Sequence, residues 1–367
     1  MKVMTILGTR PEIIRLSCVL PELDRFCQHT LVHTGQNYDT RLNDIFFNEL
    51  ELRKPDINLG IQSITPGEQI GKIISDIEGV LVTIKPDKVL ILGDTNSGLV
   101  AIIAKRMGIT VCHMEAGNRC FDDNVPEEVN RRIIDHCSDV HMPYTERSRS
   151  NLLREGIASD KIFVTGNPIN EVLNKYADKI DNSNILDTMG LKTKGYFLVE
   201  VHRAETVDHR DRLMKILECL SYLSNKYYIP IIYSVHPHTK DRIASFNIQP
   251  YTGIRMCEPF GLFDFVALEL NAKCVLTDSG TVPEECTILK VPCVTVRDVT
   301  ERPETIECGS NILAGVLPKG IESAIDVALS GEPSCWVPPA GYTDKDVSSK
   351  VIKIILGYGA IVNHQPH

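Results

Sequence analysis

KVLILGDTNSGLVAIIAKRMGITVCHME, residues 88–115, holds two short apolar runs with a longer mixed segment between them. KVLILGD (88–94) and ITVCHME (109–115) have the length and bounding residues of buried strands. The intervening TNSGLVAIIAKRMG opens on Thr, Asn and Ser, is apolar in its middle and stops at Gly, the pattern of a helix. Strand, helix and strand in that order predict a βαβ unit on a parallel sheet.

The same alternation extends in both directions. KVMTILG (2–8), HTLVHTG (29–35), DVHMPY (139–144) and IFVTGN (162–167) are further strand candidates in the first half. YFLVEVH (196–202), IPIIYSVH (229–236), KCVLTDSG (273–280) and VPCVTVRD (291–298) repeat the pattern in the second. Polar DKIDNSNILDTMGLKTKG (178–195) reads as a linker or peripheral segment. The expectation is two α/β domains in tandem, 1–177 and 178–367, with SSKVIKIILGYG as a last helix able to pack back on the first domain before a frayed NHQPH end.

With 367 residues, 43% hydrophobic and 24% charged, the chain has material for two soluble domains. A net charge of −9 argues against a nucleic-acid or anionic-membrane binder, which needs a basic surplus. A small anionic ligand needs only one or two arginines. MKVMTILGTRPEIIRL is too charged after its short apolar run to be a signal peptide, and no run approaches a membrane span. A cytoplasmic protein is expected. The twelve cysteines are scattered, with no Cys-x-x-Cys, and several (Cys112, Cys274, Cys293) lie in apolar runs as small buried hydrophobes. The HPH of 236–238 lacks the further His or Cys that a metal site requires, so no metal is expected. GEQIGK (67–72) is too short for a phosphate-binding P-loop, and no G-x-G-x-x-G follows a strand, so no nicotinamide cofactor is expected.

Open parallel sheets bind ligands beyond the carboxyl ends of their strands. There stand Gly8-Thr9-Arg10-Pro11, Asp94 and Glu115 in the first half. His202-Arg203, His236, Asp278-Ser279-Gly280 and Arg297-Asp298 hold the same kind of position in the second. Two such rims facing each other would form one polar cleft. Asp94 and Glu115 end strands joined by a single helix, so they are expected to share a rim and to suit proton transfer. Asp94 also reads as a helix N-cap. TDSGTVPEE (277–285) reads equally as an anion-holding helix start, with Glu285 available to a ribose diol, or as a Ser-capped helix with an acidic first turn. In GTRPE (8–12), Arg10 reads either as a phosphate clamp or as a surface residue at a helix start.

MEAGNRCFDDNVPEEVNRR (114–132) carries five carboxylates and three arginines. Pro126 suits the first turn of a helix to about Cys137, on which Glu127/Arg131 and Glu128/Arg132 are spaced as pairs. At about 100° per residue, Val129, Ile133, Ile134 and Cys137 define the expected buried face. That face turns Glu128–Arg132 to water and leaves Glu127–Arg131 half-buried near the rim. Asp122 and Asp123 read as loop residues.

GTRPE, GDTNS, EAGNR, PEEVNRR, VHR, TDSGTVPEE and TERPE, in this order over residues 8–304, resemble the non-hydrolysing UDP-N-acetylglucosamine 2-epimerase family. The resemblance implies two Rossmann-like domains of glycosyltransferase-B type with an inter-domain active-site cleft. It also implies a UDP-sugar substrate, no cofactor, and a homodimer. The implied reaction removes the C2 proton and expels UDP from C1 to give a 2-acetamidoglycal, then reverses on the other face. By the same resemblance Asp94, Glu115, Glu127 and His202 match catalytic positions, and Arg10, His236, Ser279, Gly280 and Thr281 match diphosphate positions. Glu285 matches the ribose ligand, Arg131 and Arg302 match charged site positions, and Phe265 falls near the uracil. GlcNAc epimerases usually carry Lys where this chain has Arg15, and bacterial ones have Gln-His-Arg-Glu, part of an allosteric site, where this chain has GQNYD (35–39). That activation is therefore not implied here. GTRPEIIRL, TGQNYD and EAGNRCFD are closer to a sister branch that interconverts UDP-2-acetamido-2,6-dideoxy-L-talose and UDP-N-acetyl-L-fucosamine for capsule or O-antigen synthesis. The alternatives are the same scaffold acting on UDP-GlcNAc, and a glycosyltransferase of similar architecture.

Overall fold

The computed structural model describes residues 1–35, 40–63, 65–331 and 335–357, without the side chains of 40–44. Residues 36–39 of GQNYD and the NHQPH end lie outside the described residues. The chain divides into two compact units, Met1–Asn174 with Ala340–His367, and Lys175–Pro339.

The first unit holds β1 (Lys2–Leu7), β2 (Gln28–His33), β3 (Ile57–Asn58), β4 (Lys88–Leu92), β5 (Thr110–Met114) and β6 (Val140–Met142). Their order is β3-β2-β1-β4-β5-β6, all parallel. The second unit holds β7 (Phe197–Glu200), β8 (Ile231–Ser234), β9 (Ile254–Cys257), β10 (Cys274–Thr277), β11 (Cys293–Thr295) and β12 (Asn311–Leu313). Their order is β12-β11-β10-β7-β8-β9, again all parallel. Each is the doubly wound Rossmann order, which reverses between β1 and β4 in one unit and between β7 and β10 in the other.

The strands form because Val, Ile and Leu runs are covered by helices on both faces. Ile73, Ile77 and Leu81, spaced i, i+4, i+8 on the helix Pro66–Ile84, pack with Met4, Ile6, Val89 and Ile91. Burying each such side chain stabilises the unit by about 1.5–3 kcal/mol. In the second unit the helix Arg210–Tyr227 supplies Leu213, Ile216, Leu217, Leu220 and Leu223 to the sheet core. The helix Val347–Gly357 belongs to the first unit, where it packs on the helix Val19–Phe26 and its Ile355 carbonyl accepts the buried Lys88 Nζ.

Some expectations need correction. Residues 162–167 form no strand; Ile162 makes only a single bridge to His141 before the chain turns to bond Gly341. Residues 178–195 contain the helices Ala177–Asp181 and Ile185–Met189 rather than a bare linker. The segment after Asp94 begins as a 3-10 turn, Asn96–Val100, and becomes α-helical only over Ala101–Arg106. All twelve cysteines are free, and Cys112, Cys274 and Cys293 are buried.

Candidate active site

The first unit's rim is built on the reversal between β1 and β4. After β1 the turn enters the helix Arg10–Leu16, with Glu12 as a buried cap. Glu12 accepts the Gly8 and Thr9 N–H groups (2.9 and 2.7 Å), the Thr9 hydroxyl (2.8 Å) and the Thr95 hydroxyl (3.1 Å). One carboxyl thus ties the turn before Arg10 to the loop after Asp94. Burial pushes it up to about 7 against the pull of those donors. The Arg10 guanidinium lies 5.7 Å from the Phe46 ring centre.

Asp94 follows β4, with a side chain 23% exposed and therefore reachable by a ligand. Its Oδ2 accepts Arg131 Nε and Nη2 at 3.0 and 2.6 Å. Arg131 comes from the helix Pro126–Cys137 and also bonds Glu128 (2.9 Å). Here the expected helix face is wrong. Glu128, Asn130, Arg131, Ile134 and Asp135 are buried, while Val129 and Ile133 are 44% and 36% exposed. Glu128 does not face water. It accepts the Cys120 and Phe121 N–H groups (2.9 and 3.1 Å) and ties Arg131 and Arg132 (2.9 and 3.0 Å). Burial raises its carboxyl, but those N–H groups and Arg131 outweigh it and hold it below the usual value. Glu127 is half-buried in the first turn of the helix. Asp122 and Asp123 are loop residues.

Glu115 follows β5, which is paired with β4, so the two acids occupy neighbouring strand ends. It bonds Arg15, the Tyr144 hydroxyl (3.2 Å) and the Asn118 amide (3.1 Å). The Arg15 guanidinium lies 5.7 Å from the Tyr144 ring centre. Glu115 and Arg15 are 7% and 3% exposed, so this is a buried, partnered pair. Glu115 has φ +67°, a strained value for a side chain with a Cβ, and Gly117 follows at +81°. A Cβ on Gly117 would lie 2.2 Å from the Ser148 carbonyl oxygen. Gly117→Ala is therefore expected to cost about 3 kcal/mol, read as a lowered denaturation midpoint.

Behind both acids lies Asp135, fully buried. It bonds His113 (2.8 Å), Arg119 (2.7 Å) and the Gly117 N–H (3.1 Å). Burial raises its carboxyl, but His113 and Arg119 prevail and hold it at about 2. A depressed carboxyl contributes stability that is complete above its unfolded value. That contribution, about 2 kcal/mol, should be lost as pH falls from about 4 to 2. Urea titrations of wild type and Asp135→Asn should therefore differ above pH 4 and converge below it.

The second unit's rim is built on the reversal between β7 and β10. Asp278, fully buried after β10, accepts the His202 N–H twice (3.0 Å each) and the Arg203 N–H (2.9 Å). Its carbonyl accepts Arg203 Nε (2.9 Å). One carboxylate thus fixes the turn after β7. The His202 and His236 rings lie 5.4 Å apart, and His236 caps the helix Pro237–Ser245 through the His238 N–H. Ser279, Gly280 and Thr281 lead into the helix Val282–Leu289; the Thr277 hydroxyl accepts the Ser279 N–H (2.9 Å) and Ser279 Oγ the Thr281 N–H (3.2 Å). A Cβ on Gly280 would meet Glu301 Oε1 at 2.5 Å, so the Glu301 carboxylate would have to move to admit one. Glu285 is buried, and burial together with the nearby Glu285 carboxylate pushes the buried Glu269 carboxyl well above its usual range. Arg302 is buried on Glu284, and Phe265 is half-buried on the helix Leu262–Asn271.

Within the first unit the structure therefore brings Asp94, Glu115, Arg15 and Arg131 to one rim, with Arg10 on the turn after β1. Within the second it gathers His202, His236, Ser279, Gly280 and Thr281. Sequence reasoning missed Glu12, Tyr144, Asp135, Asp278 and Glu269 as supports. Only Glu12 and Asp278 lay inside motifs that stood out. No group of three His, Cys, Asp or Glu suited to a metal occurs among the described residues. No described helix is long and apolar enough to cross a membrane.

The sequence profile of UDP-N-acetylglucosamine 2-epimerase matches residues 22–356. The UDP-N-acetylglucosamine 2-epimerase of Methanocaldococcus jannaschii is 44% identical over 98% of this chain and 100% of its own. The crystal structure of that enzyme with UDP-GlcNAc and UDP aligns at TM-score 0.92 and 42% identity, covering 98% of this chain and 100% of the other. The UDP-2,3-diacetamido-2,3-dideoxy-D-glucuronate 2-epimerase of Pseudomonas aeruginosa is 34% identical over 86% of this chain and 88% of its own. The alignments run through both Rossmann units and both rims, and the chain belongs to the UDP-N-acetylglucosamine 2-epimerase family, an isomerase acting at C2 of a UDP-sugar.

Proposed function

We propose that the protein converts UDP-2-acetamido-2,6-dideoxy-β-L-talose to UDP-N-acetyl-L-fucosamine, by elimination and re-addition of UDP, for surface polysaccharide synthesis. The C2–H bond of the sugar breaks to a carboxylate. The C1–O bond breaks with its electron pair leaving on UDP, and a C1=C2 bond forms. Proton and UDP then return with C2 inverted. No electrons are gained or lost, so the cycle needs no oxidant.

The observation that carries this reading is the pair of carboxylates on adjacent strand ends, Asp94 on Arg131 and Glu115 on Arg15. An arginine partner favours the ionised form, the form a base needs. Inversion requires proton transfer on two faces, and two differently held acids suit it. Glu127 and His202 complete the acid/base set. Arg10, His236 and the Ser279-Gly280-Thr281 helix start hold the departing diphosphate. Glu285 takes the ribose, Phe265 lies near the uracil and Arg302 supports the anion.

The substrate reading rests on Arg15. Its guanidinium, with Tyr144 and Asn118, supplies both Glu115 oxygens with donors from the protein. Arg15 and Asn118 lie in GTRPEIIRL and EAGNRCFD, the stretches that resemble the branch acting on a 6-deoxy sugar. The second reading, UDP-GlcNAc to UDP-ManNAc, is favoured by the relative that is 44% identical. Incubation with each nucleotide sugar separately decides between them. Turnover of the 6-deoxy sugar with kcat/KM about 100-fold above UDP-GlcNAc is expected, and the reverse preference overturns the substrate assignment.

A further inference from the structure

We propose that His113 and Asp135 are positioning residues that hold the two acids in register for proton transfer. The inference rests on the reading of Asp94 and Glu115 as the acid/base pair. Positive φ values flank or fall on both acids. Gly93, just before Asp94, has φ +76°, Glu115 itself has +67° and Gly117 has +81°. Glycine adopts such values freely, but Glu115, which carries a Cβ, keeps its own only where surrounding bonds hold it.

One buried network supplies those bonds. His113, on β5, presents Nε2 to the Gly93 carbonyl at 2.8 Å and Nδ1 to Asp135 Oδ1 at 2.8 Å. A carbonyl only accepts, so Nε2 carries hydrogen. Asp135 Oδ2 takes the Gly117 N–H at 3.1 Å and Arg119 Nη2 at 2.7 Å. The Asp135 carbonyl faces His141 Nε2 at 2.8 Å. The backbone before one acid and after the other is thus pinned to a single side-chain pair. Asp135 lies one helical turn from Arg131, so the same network also sets the helix that grips Asp94. Neither His113 nor Asp135 is exposed. Their task is to keep two carboxylates within reach of one carbon, not to touch the sugar.

Asn at 135 would keep an oxygen for the Gly117 and Arg119 donors and turn its amide N–H toward Nδ1 of the Nε2–H tautomer. Ala would lose every side-chain bond. D135A is therefore expected to lower kcat about 100-fold with KM changed less than about threefold, because misplacing a reacting group by about 1 Å costs that much. D135N should recover at least about tenfold of that loss. A D135A kcat within about threefold of wild type, a loss confined to KM, or a D135N no better than D135A overturns the proposal. If D135A does not fold, H113Q decides. A kcat loss of about tenfold at unchanged KM is expected, and wild-type kcat overturns the proposal. D94N separates the two levels. If D94N is inactive and D135A is not, only the positioning role fails; if D94N is active, the acid/base reading fails.

Discussion

Asp94→Asn is expected to lower turnover by about 10³-fold while the protein stays folded. Asn is isosteric and keeps one oxygen for Arg131, which donates to Asp94 through Nε and Nη2. Arg131 also keeps its buried ion pair with Glu128, so its charge is not stranded. What disappears is the basicity proposed to accept the C2 proton. The loss should fall on kcat, with UDP affinity close to wild type because Asp94 is not among the groups proposed to hold UDP. Steady-state kinetics with a melting curve measure both. Turnover within about tenfold of wild type would make Asp94 an ion-pair partner and not an acid/base group.

Glu115→Gln should lose turnover to a similar degree, about 10³-fold, and should also lose stability. Arg15 is 3% exposed, and its carboxylate partner would become a neutral amide. Breaking one side of a buried ion pair costs about 3–5 kcal/mol, because the remaining charge stays desolvated. Denaturant titration should therefore separate the two variants, with Glu115→Gln destabilised and Asp94→Asn little changed. Adding Arg15→Met to Glu115→Gln removes the buried guanidinium whose carboxylate was neutralised and should restore stability without restoring turnover. A double variant as unstable as Glu115→Gln alone would mean that the Arg15 charge is not what destabilises it.

The fold was legible where apolar runs were long. Lys88–Leu92 and Thr110–Met114 lie inside the stretches read from residues 88–115, and the alternation around them yields both parallel sheets. The strands that went unread, Ile57–Asn58, Ile254–Cys257 and Asn311–Leu313, are short edge or near-edge pieces with little apolar periodicity. Residues 162–167 have strand composition and run beside β6, with the Phe163 and Thr165 N–H groups on the His141 and Pro143 carbonyls, but only one bridge forms.

The site was legible as strand ends, since the rim rule needs only topology. It failed on the helix Pro126–Cys137. Hydrophobic periodicity assumes that the buried face is apolar, and this helix buries Glu128, Arg131 and Asp135 at i, i+3 and i+7 against the rim. Their carboxylates and guanidinium are satisfied by one another and by backbone N–H groups, so burial does not require apolar side chains there. Val129 and Ile133 then take the solvent side. The supporting bonds, Tyr144 on Glu115 or His113 on Gly93, join residues 20–29 positions apart and leave no local signal.

On the proposed mechanism inversion passes through a 2-acetamidoglycal, with the C2 hydrogen exchanged on the enzyme. Turnover of the UDP-sugar in deuterium oxide, followed by NMR of the product, tests it directly. Each molecule of epimer formed is expected to carry solvent deuterium at C2. Epimer accumulating with its C2 hydrogen retained would contradict it.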